Sequence, residues 1–409
     1  MPVGEAVGLP SGRSLSLRAT RCRYPGHAAW TVSLMSTVRS MSFLDQTFSS
    51  LAADRIQVET IIIFRIGSLG DTVVALPCFH QIARSFPNSR RILVTNIAAS
   101  QKAAPVEGVL ADSGLIDGVI HLPPSPRTLR GLLKLRKEIR KTKSKTLIYV
   151  ADRDIVSTVR DLCFFRWCGI RHVIGAPITG DLRRPRIDPV TGYVEFEAER
   201  LARCLAPLGQ IDLNNPDVWD LHLRPHEIIS AERSLTPVRE RNFVAVNIGG
   251  KIARKDWGDD NWMTLFELMA VRYADLALVF FGSADEFDRS SGIAAAWPSP
   301  QLNLCGRLAP RESAAAIQRA LFFVGHDSGP LHLAASGGVP CVGIFGNLNE
   351  PKWWHPMGKR HRIIHDMRGV RYITPEEVYA AICSIVSAAS PTAMRCHRSA
   401  RQASGMRSR

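Results

Sequence analysis

Between residues 58 and 390 the chain alternates short β-branched, apolar runs with longer stretches whose apolar positions recur every three to four residues. The runs at 58–64, 91–95, 118–121 and 146–150 read as strands. Helical spacing occupies 71–85, 98–110 and 129–141 between them, and 152–171 reads as a further helix leading to a short strand at 172–175. The pattern weakens over 212–237, where Asn214, Asn215, Pro216, Pro225 and Pro237 interrupt it and mark a domain boundary. It then restarts, with strands at 243–247, 275–281, 302–305, 322–325 and 341–345. The matching helices fall at 261–272, 286–296, 309–319, 330–336 and 375–388. Such alternation implies parallel sheets covered by helices on both faces. The chain thus reads as α/β, with two Rossmann-like domains at 56–215 and 238–390 and basic, disordered ends at 1–55 and 391–409.

Composition narrows the class. Of 409 residues, 45% are hydrophobic and 22% charged, as in ordinary globular proteins, so collagen-like, disulfide-scaffold and wholly disordered readings are excluded. Nine cysteines occur with no C-x-x-C pair, which points to a reducing compartment and away from a structural zinc site. No apolar run approaches the roughly 18 residues that cross a bilayer. Lys and Arg number 52 against 37 Asp and Glu, a net charge of +15, which favours anionic partners: nucleic acid, phosphorylated substrates or an acidic membrane. Part of the excess lies in the Ser- and Arg-rich ends. The first of these reads either as a transit-like segment or as an extension without function, with Met35 or Met41 as the true start.

Three glycine turns follow strands. In Arg65-Ile66-Gly67-Ser68-Leu69-Gly70-Asp71 the glycines permit a tight strand-to-helix turn with free amides at the helix start. The spacing is neither the dinucleotide fingerprint nor a P-loop. Asp71 is placed either as a general base or as a simple helix cap. In Gly325-His326-Asp327-Ser328-Gly329-Pro330-Leu331-His332, Pro330 suits the first helical position and the small residues leave amides to face a phosphate. Asp327 and Ser328 suit sugar hydroxyls; His332 either approaches a diphosphate or is a partly buried helix residue. Asn247-Ile248-Gly249-Gly250-Lys251, followed by Arg254 and Lys255, reads as a donor turn whose cations neutralise a leaving group, or as an exposed basic loop.

Other features weigh less. Asp152-Arg153-Asp154 has the D-x-D spacing of metal-holding sugar transferases but follows a strand where a polar loop is expected, so no metal is assigned. The segment 127–145, with nine Lys and Arg and one acid, is either a crossover helix with a solvated basic face or a membrane-facing helix. Trp353-Trp354-His355-Pro356 reads as packing and loop structure.

Together these motifs resemble glycosyltransferase family nine, the heptosyltransferases of lipopolysaccharide assembly, over nearly all of 58–390. The resemblance rests on Phe64 to Asp71 with Leu76-Pro77, and on Asp327 to Ala335 with Gly338-Val339-Pro340 and Phe345-Gly346. Intermediate blocks, Lys255-Asp256-Trp257 with Asn261-Trp262 and Phe281-Gly282 with Asp285-Glu286, are also similar. It implies a GT-B fold, with an N-terminal acceptor-binding and a C-terminal nucleotide-sugar-binding domain facing a cleft. It implies inverting, metal-independent transfer, without a cofactor, of a sugar such as heptose from ADP-heptose to a lipopolysaccharide core or related glycan.

Under that resemblance Asp71 is the base. Gly250, Lys251, Lys255, Glu286, Asp327, Ser328, Gly329, Leu331 and His332 hold the donor. Arg65, Ser68, Leu69, Gly70, Arg183 and Arg184 hold the acceptor. The expected partners are a nucleotide-sugar donor, an anionic glycolipid acceptor and the inner membrane surface, with no nucleic acid, in a cytoplasmic protein. Two competing classes are an epimerase or hydrolase of nucleotide sugars, and a basic nucleic-acid-binding protein.

Overall fold

The computed structural model describes residues 60–97, 105–124, 128–250 and 252–388, all within one compact body, 54–409. The expected extensions at 1–55 and 391–409 lie outside the described residues.

The N-terminal lobe starts with β1 (Thr60–Phe64), α1 (Leu69–Val74), α2 (Leu76–Ser85), β2 (Arg90–Thr95), α3 (Glu107–Leu110) and β3 (Gly118–His121). It continues with α4 (Leu129–Lys141), β4 (Thr146–Tyr149), α5 (Ile155–Trp167), β5 (His172–Ile174), α6 (Gly180–Arg183) and α7 (Glu197–Cys204). The five strands pair in parallel in the order β3-β2-β1-β4-β5. Ile62 and Phe64 turn to one face of the sheet, Ile61 and Ile63 to the other, and each face has its own apolar cluster.

Helix α8 (Pro225–Ser234) occupies the expected boundary region. The C-terminal lobe runs β6 (Phe243–Asn247), α9 (Asp259–Tyr273), β7 (Ala277–Phe280), α10 (Phe287–Ala294), β8 (Gln301–Asn303) and α11 (Pro310–Ile317). It ends with β9 (Phe322–His326), α12 (Gly329–Ser336), β10 (Cys341–Gly346), β11 (Arg362–Asp366) and α13 (Pro375–Ala388). Its six parallel strands lie in the order β11-β10-β9-β6-β7-β8. In both sheets the strand order reverses beside the first strand, at β1/β4 and at β6/β9. The crevice outside the strand ends at such a point is where open α/β sheets bind ligands.

The lobes share a core below the cleft. Leu333 of α12 and Ala314 of α11 belong to the same buried cluster as Leu69 and Val73 of α1 and Val109 of α3.

Several expected elements change. The helix expected over 71–85 is two helices, broken at Ala75, because Pro77 has no amide to continue the first and suits the opening turn of the second. Of the helix expected over 98–110, only Glu107–Leu110 is helical among the described residues, and 98–104 lies outside them. Strand β11 and helix α7 were not expected. The strand is an edge element whose Arg362, His365 and Asp366 mask its apolar pattern.

Candidate active site

A cleft of ≈ 650 Å³ lies between the lobes. Ser68, Leu69, Gly70 and Asp71 line it from the turn after β1; Gly250, Lys255, Glu286, Asp327, Ser328, Gly329 and His332 line it from the C-terminal lobe.

The N-terminal side is built around Asp71. Ser68 caps α1, and its amide and its hydroxyl both donate to Asp71 Oδ2, at 2.6 and 2.8 Å. Asp71 is therefore at once the capping-box acid of α1 and a wall of the cleft, so the two readings of this residue are compatible. Burial pushes its carboxyl upward, but the Arg65 guanidinium, the Ser68 hydrogen bonds and His332 outweigh it and hold the carboxyl below its ordinary value. Arg65 itself is buried, not cleft-lining. It donates to Val150 O at 3.0 Å and to the Asp71 carbonyl, which ties α1 to the end of β4. The expectation that Arg65 touches an acceptor is corrected accordingly.

On the C-terminal side, glycines make room for a carboxylate. A Cβ at Gly249 would fall 2.0 Å from Glu286 Oε1, and one at Gly282 would fall 2.0 Å from Oε2. Glu286 thus lies against both turns and accepts from the Ser283 amide at 3.2 Å. Asn247, at the end of β6, donates to Phe281 O at 2.8 Å and to Glu286 Oε2 at 3.5 Å, and its own oxygen accepts from Ser328 Oγ at 2.8 Å. Asp327 accepts from Lys255 Nζ at 2.5 Å and from Asn349 Nδ2 at 3.1 Å on the same oxygen. Ser328 is the N-cap of α12, and Ser328, Gly329 and Pro330 line the cleft, so the positive end of this helix lies at its wall and suits an anion.

His332 is buried, 3.9 Å from Asp327 Oδ1. Burial lowers its pKa more than Asp327 and Asp71 raise it, so the imidazole is neutral near neutral pH. His326, one position before Asp327, is buried below the site. The Trp257 amide donates to its Nε2 at 3.2 Å, which leaves Nδ1–H to meet Gly249 O at 3.3 Å. Burial drops its pKa to about 4, and the neutral ring holds the glycine turn in place.

The turns from the two lobes touch. A Cβ on Gly70 would sit 3.0 Å from the His332 ring, and a Cβ on Gly329 would sit 2.5 Å from Leu69 Cδ2. No larger residue fits either position without displacing a neighbour.

Three further expected site residues are elsewhere. Leu331 is fully buried in the core of the C-terminal lobe, on the face of α12 turned from the cleft. Arg183 and Arg184 do not line the cleft: Arg183 reaches Ile178 O at 3.5 Å, and the Arg184 carbonyl accepts from Arg203 at 3.4 Å. Around them Arg186 and Arg203 pair with Asp181 and Glu195. Lys251 lies outside the described residues. Asp154 of the D-x-D segment caps α5 through Ser157 N at 2.9 Å, while Asp152 lies 3.5 Å from Arg200. Among the described residues no group of three or more His, Cys, Asp or Glu side chains is arranged to hold a metal ion.

Sequence reasoning missed Asn349 and Arg311, gave Asn247 no role of its own within the donor turn, and read Trp354 as packing and loop structure. Asn247 carried a signal, a polar residue closing an otherwise apolar strand. Trp354 lines the cleft, and Trp353 donates to Glu197 Oε2 at 2.9 Å across the lobes.

Two parallel α/β lobes meeting at their switch points over one cleft define a GT-B fold. The family model for glycosyltransferase family 9 (heptosyltransferase) matches residues 194–372. Lipopolysaccharide heptosyltransferase 3 of Escherichia coli (strain K12) is 20% identical over 80% of this chain and 98% of its own length. The glycosyl transferase family 9 structure from Veillonella parvula covers 80% of this chain and 97% of its own, at 18% identity and a TM-score of 0.63. The ADP-heptose lps heptosyltransferase II of E. coli covers 80% and 98%, at 17% identity and a TM-score of 0.57. The chain resembles glycosyltransferase family 9, whose family model covers 179 of its 409 residues.

Proposed function

We propose that this enzyme transfers heptose from ADP-heptose, with inversion and without a metal, onto a lipopolysaccharide core or related cell-surface glycan. The observation that carries the reading is the placement of Asp71, from one lobe, beside His332 and the Asp327–Gly329 turn, from the other, in a single cleft. The acceptor oxygen attacks the anomeric carbon from the face opposite the diphosphate, and its proton passes to Asp71 Oδ1, the oxygen not held by Ser68. The bond from the anomeric carbon to the diphosphate oxygen breaks, and its electron pair leaves with the nucleoside diphosphate. Helix α12 amides and Lys255 meet the charge that develops there. Lys255 is held by Asp327 in this structure, so it is already aimed at the site before the donor arrives. Among the relatives, a solved E. coli heptosyltransferase carries ADP-2-deoxy-2-fluoro heptose, which supports a nucleotide-heptose donor here. The acceptor is an anionic glycolipid, met at the inner surface of the cytoplasmic membrane, and the enzyme is cytoplasmic; no helix among the described residues is long and apolar enough to cross a bilayer.

The test is Asp71→Asn. Transfer is expected to fall roughly 10²–10⁴-fold, the usual contribution of a general base, while ADP still raises the melting temperature. Transfer at the wild-type rate refutes the assignment. Donor consumption by the wild type with no acceptor present identifies an epimerase or hydrolase instead.

A further inference from the structure

Helices α4 and α5 cover the same face of the N-terminal sheet. Leu135 and Ile139 of α4 share a buried cluster with Phe165 of α5 and with Ile62 and Leu147 of the sheet. The Arg136 guanidinium lies 4.5 Å over the Trp167 ring and donates to Trp167 O at 3.1 Å, so the two helices abut. Their outer faces form one continuous surface.

That surface is basic and apolar together. Arg130, Lys134, Lys137, Arg140 and Lys141 project outward from α4 at helical spacing. Glu138 is the one acid between 128 and 145, and the one acid of α5, Asp161, is buried against Arg153 and Arg160. The remaining acid beside this helix, exposed Asp154 at its N-cap, accepts from the Ser157 amide at 2.9 Å and stands alone against the five cations of the stripe. Among these cations stand large exposed apolar side chains: Leu129 at 70%, Leu133 at 46% and Val156 at 74% of full exposure. Water-facing helices rarely combine the two, whereas a helix lying in a bilayer interface requires both.

The position is also informative. Helices α4 and α5 follow β3 and β4, so they begin at the carboxyl edge of the sheet, the edge that carries the turn from Ser68 to Asp71. Leu129, Leu133 and Val156 lie in or next to the first turns of these helices. The apolar residues thus sit toward the cleft side of the lobe, and the cations run away from it.

We propose that the outer face of α4 and α5 seats this enzyme on an anionic lipid bilayer, with Leu129, Leu133 and Val156 among the headgroups and the Lys/Arg stripe against lipid phosphates. A lipid-borne acceptor then reaches Asp71 without leaving the membrane, which rests on the glycolipid reading above.

The full chain is tested by flotation with phosphatidylcholine vesicles, with and without phosphatidylglycerol. Binding is expected only to the anionic vesicles and is expected to weaken with salt. Lys134→Gln/Lys137→Gln is expected to lower partitioning roughly 25-fold, about fivefold for each cation near an anionic surface. Leu133→Ser/Val156→Ser is also expected to lower it. Unchanged melting and ADP binding show that both variants are folded. Wild-type partitioning by both variants, equal binding to neutral vesicles, or release from vesicles by a single-stranded oligonucleotide that binds more tightly overturns the proposal. Transfer to a glycolipid acceptor dispersed in detergent, with no bilayer present, separates the two readings: its absence in a wild-type enzyme that still floats with vesicles refutes the glycosyl-transfer reading and leaves the surface standing.

Discussion

Arg311 locks the lobes together, and its removal gives a sharp test of how the cleft is held. It lies on α11, the helix that lines the cleft with Pro310 and Ser313. Its guanidinium donates to both carboxylate oxygens of Glu227 on α8, at 2.6 and 3.0 Å. It also donates to Val109 O at 2.9 Å, Leu221 O at 2.8 Å and His222 O at 3.0 Å. One side chain thus joins the C-terminal lobe, the N-terminal lobe and the segment between them. Arg311→Met keeps the apolar stem and removes every one of these donors. It leaves the Glu227 carboxylate buried beside only the Arg224 amide, at 2.7 Å. Breaking a buried pair in this way costs about 3–5 kcal/mol. At about 2.1 cal/mol/K of unfolding entropy per residue over roughly 350 residues, that lowers Tm by about 4–7 °C.

The pH dependence supplies a second reading of the same variant. Burial raises the Glu227 carboxyl, but the Arg311 and Arg224 hydrogen bonds more than offset this, so it lies below its ordinary value. Its stabilisation is therefore full above the unfolded carboxylate range and is lost as pH falls through the lowered folded value. In Arg311→Met only burial and the Arg224 amide remain, and the acid-side loss shrinks or reverses. Scanning calorimetry of the wild type, Arg311→Met, Glu227→Leu and the double variant measures the coupling. The double variant is expected to recover much of the loss because no buried charge is left without a partner. A single variant that melts within about 1 °C of the wild type refutes the locking role.

Three further outcomes are expected. Ser68→Ala removes the 2.8 Å hydroxyl bond from Asp71 and leaves the amide, so the carboxyl pKa rises and the acid limb of the kcat/KM profile moves to higher pH; an unmoved limb counts against Asp71 as the titrating base. Gly282→Ala places a methyl 2.0 Å from Glu286 Oε2, displaces that carboxylate and raises the donor KM roughly tenfold or more with little change in Tm; an unchanged KM means Glu286 does not serve the donor. His326, whose folded pKa is about 4 against an ordinary 6.5, binds a proton in the unfolded state first, so its contribution is intact above about pH 6.5 and is lost between there and pH 4, by about 3 kcal/mol at most. His326→Gln is expected to be less stable at pH 7 but to lose less Tm on acidification to pH 5.

Both sheets, their parallel sense and the three glycine turns were legible in the chain itself. Strand periodicity, glycine and proline placement and the polar residues that close each strand are local signals, and each is read within one turn of helix or strand. The position of Asp71 after β1 and of Asp327 to Gly329 after β9 follows from that local grammar, because parallel strands deliver such turns to one edge. What a side chain meets across the fold is not local. Arg65 and Arg183 look like ligand-binding cations on the page; packing buries the first under α1 and sets the second outside the cleft. Leu331 stands inside the strongest motif, yet the rotation of α12 turns it into the core. Asn349 and Arg311 carry no local mark at all: they matter because distant segments bring Asp327 to within 3.1 Å of one and Glu227 to within 2.6 Å of the other. Local periodicity thus determined the elements and the edge on which chemistry gathers, while the choice of residues that face the cleft was made only when the two lobes packed together.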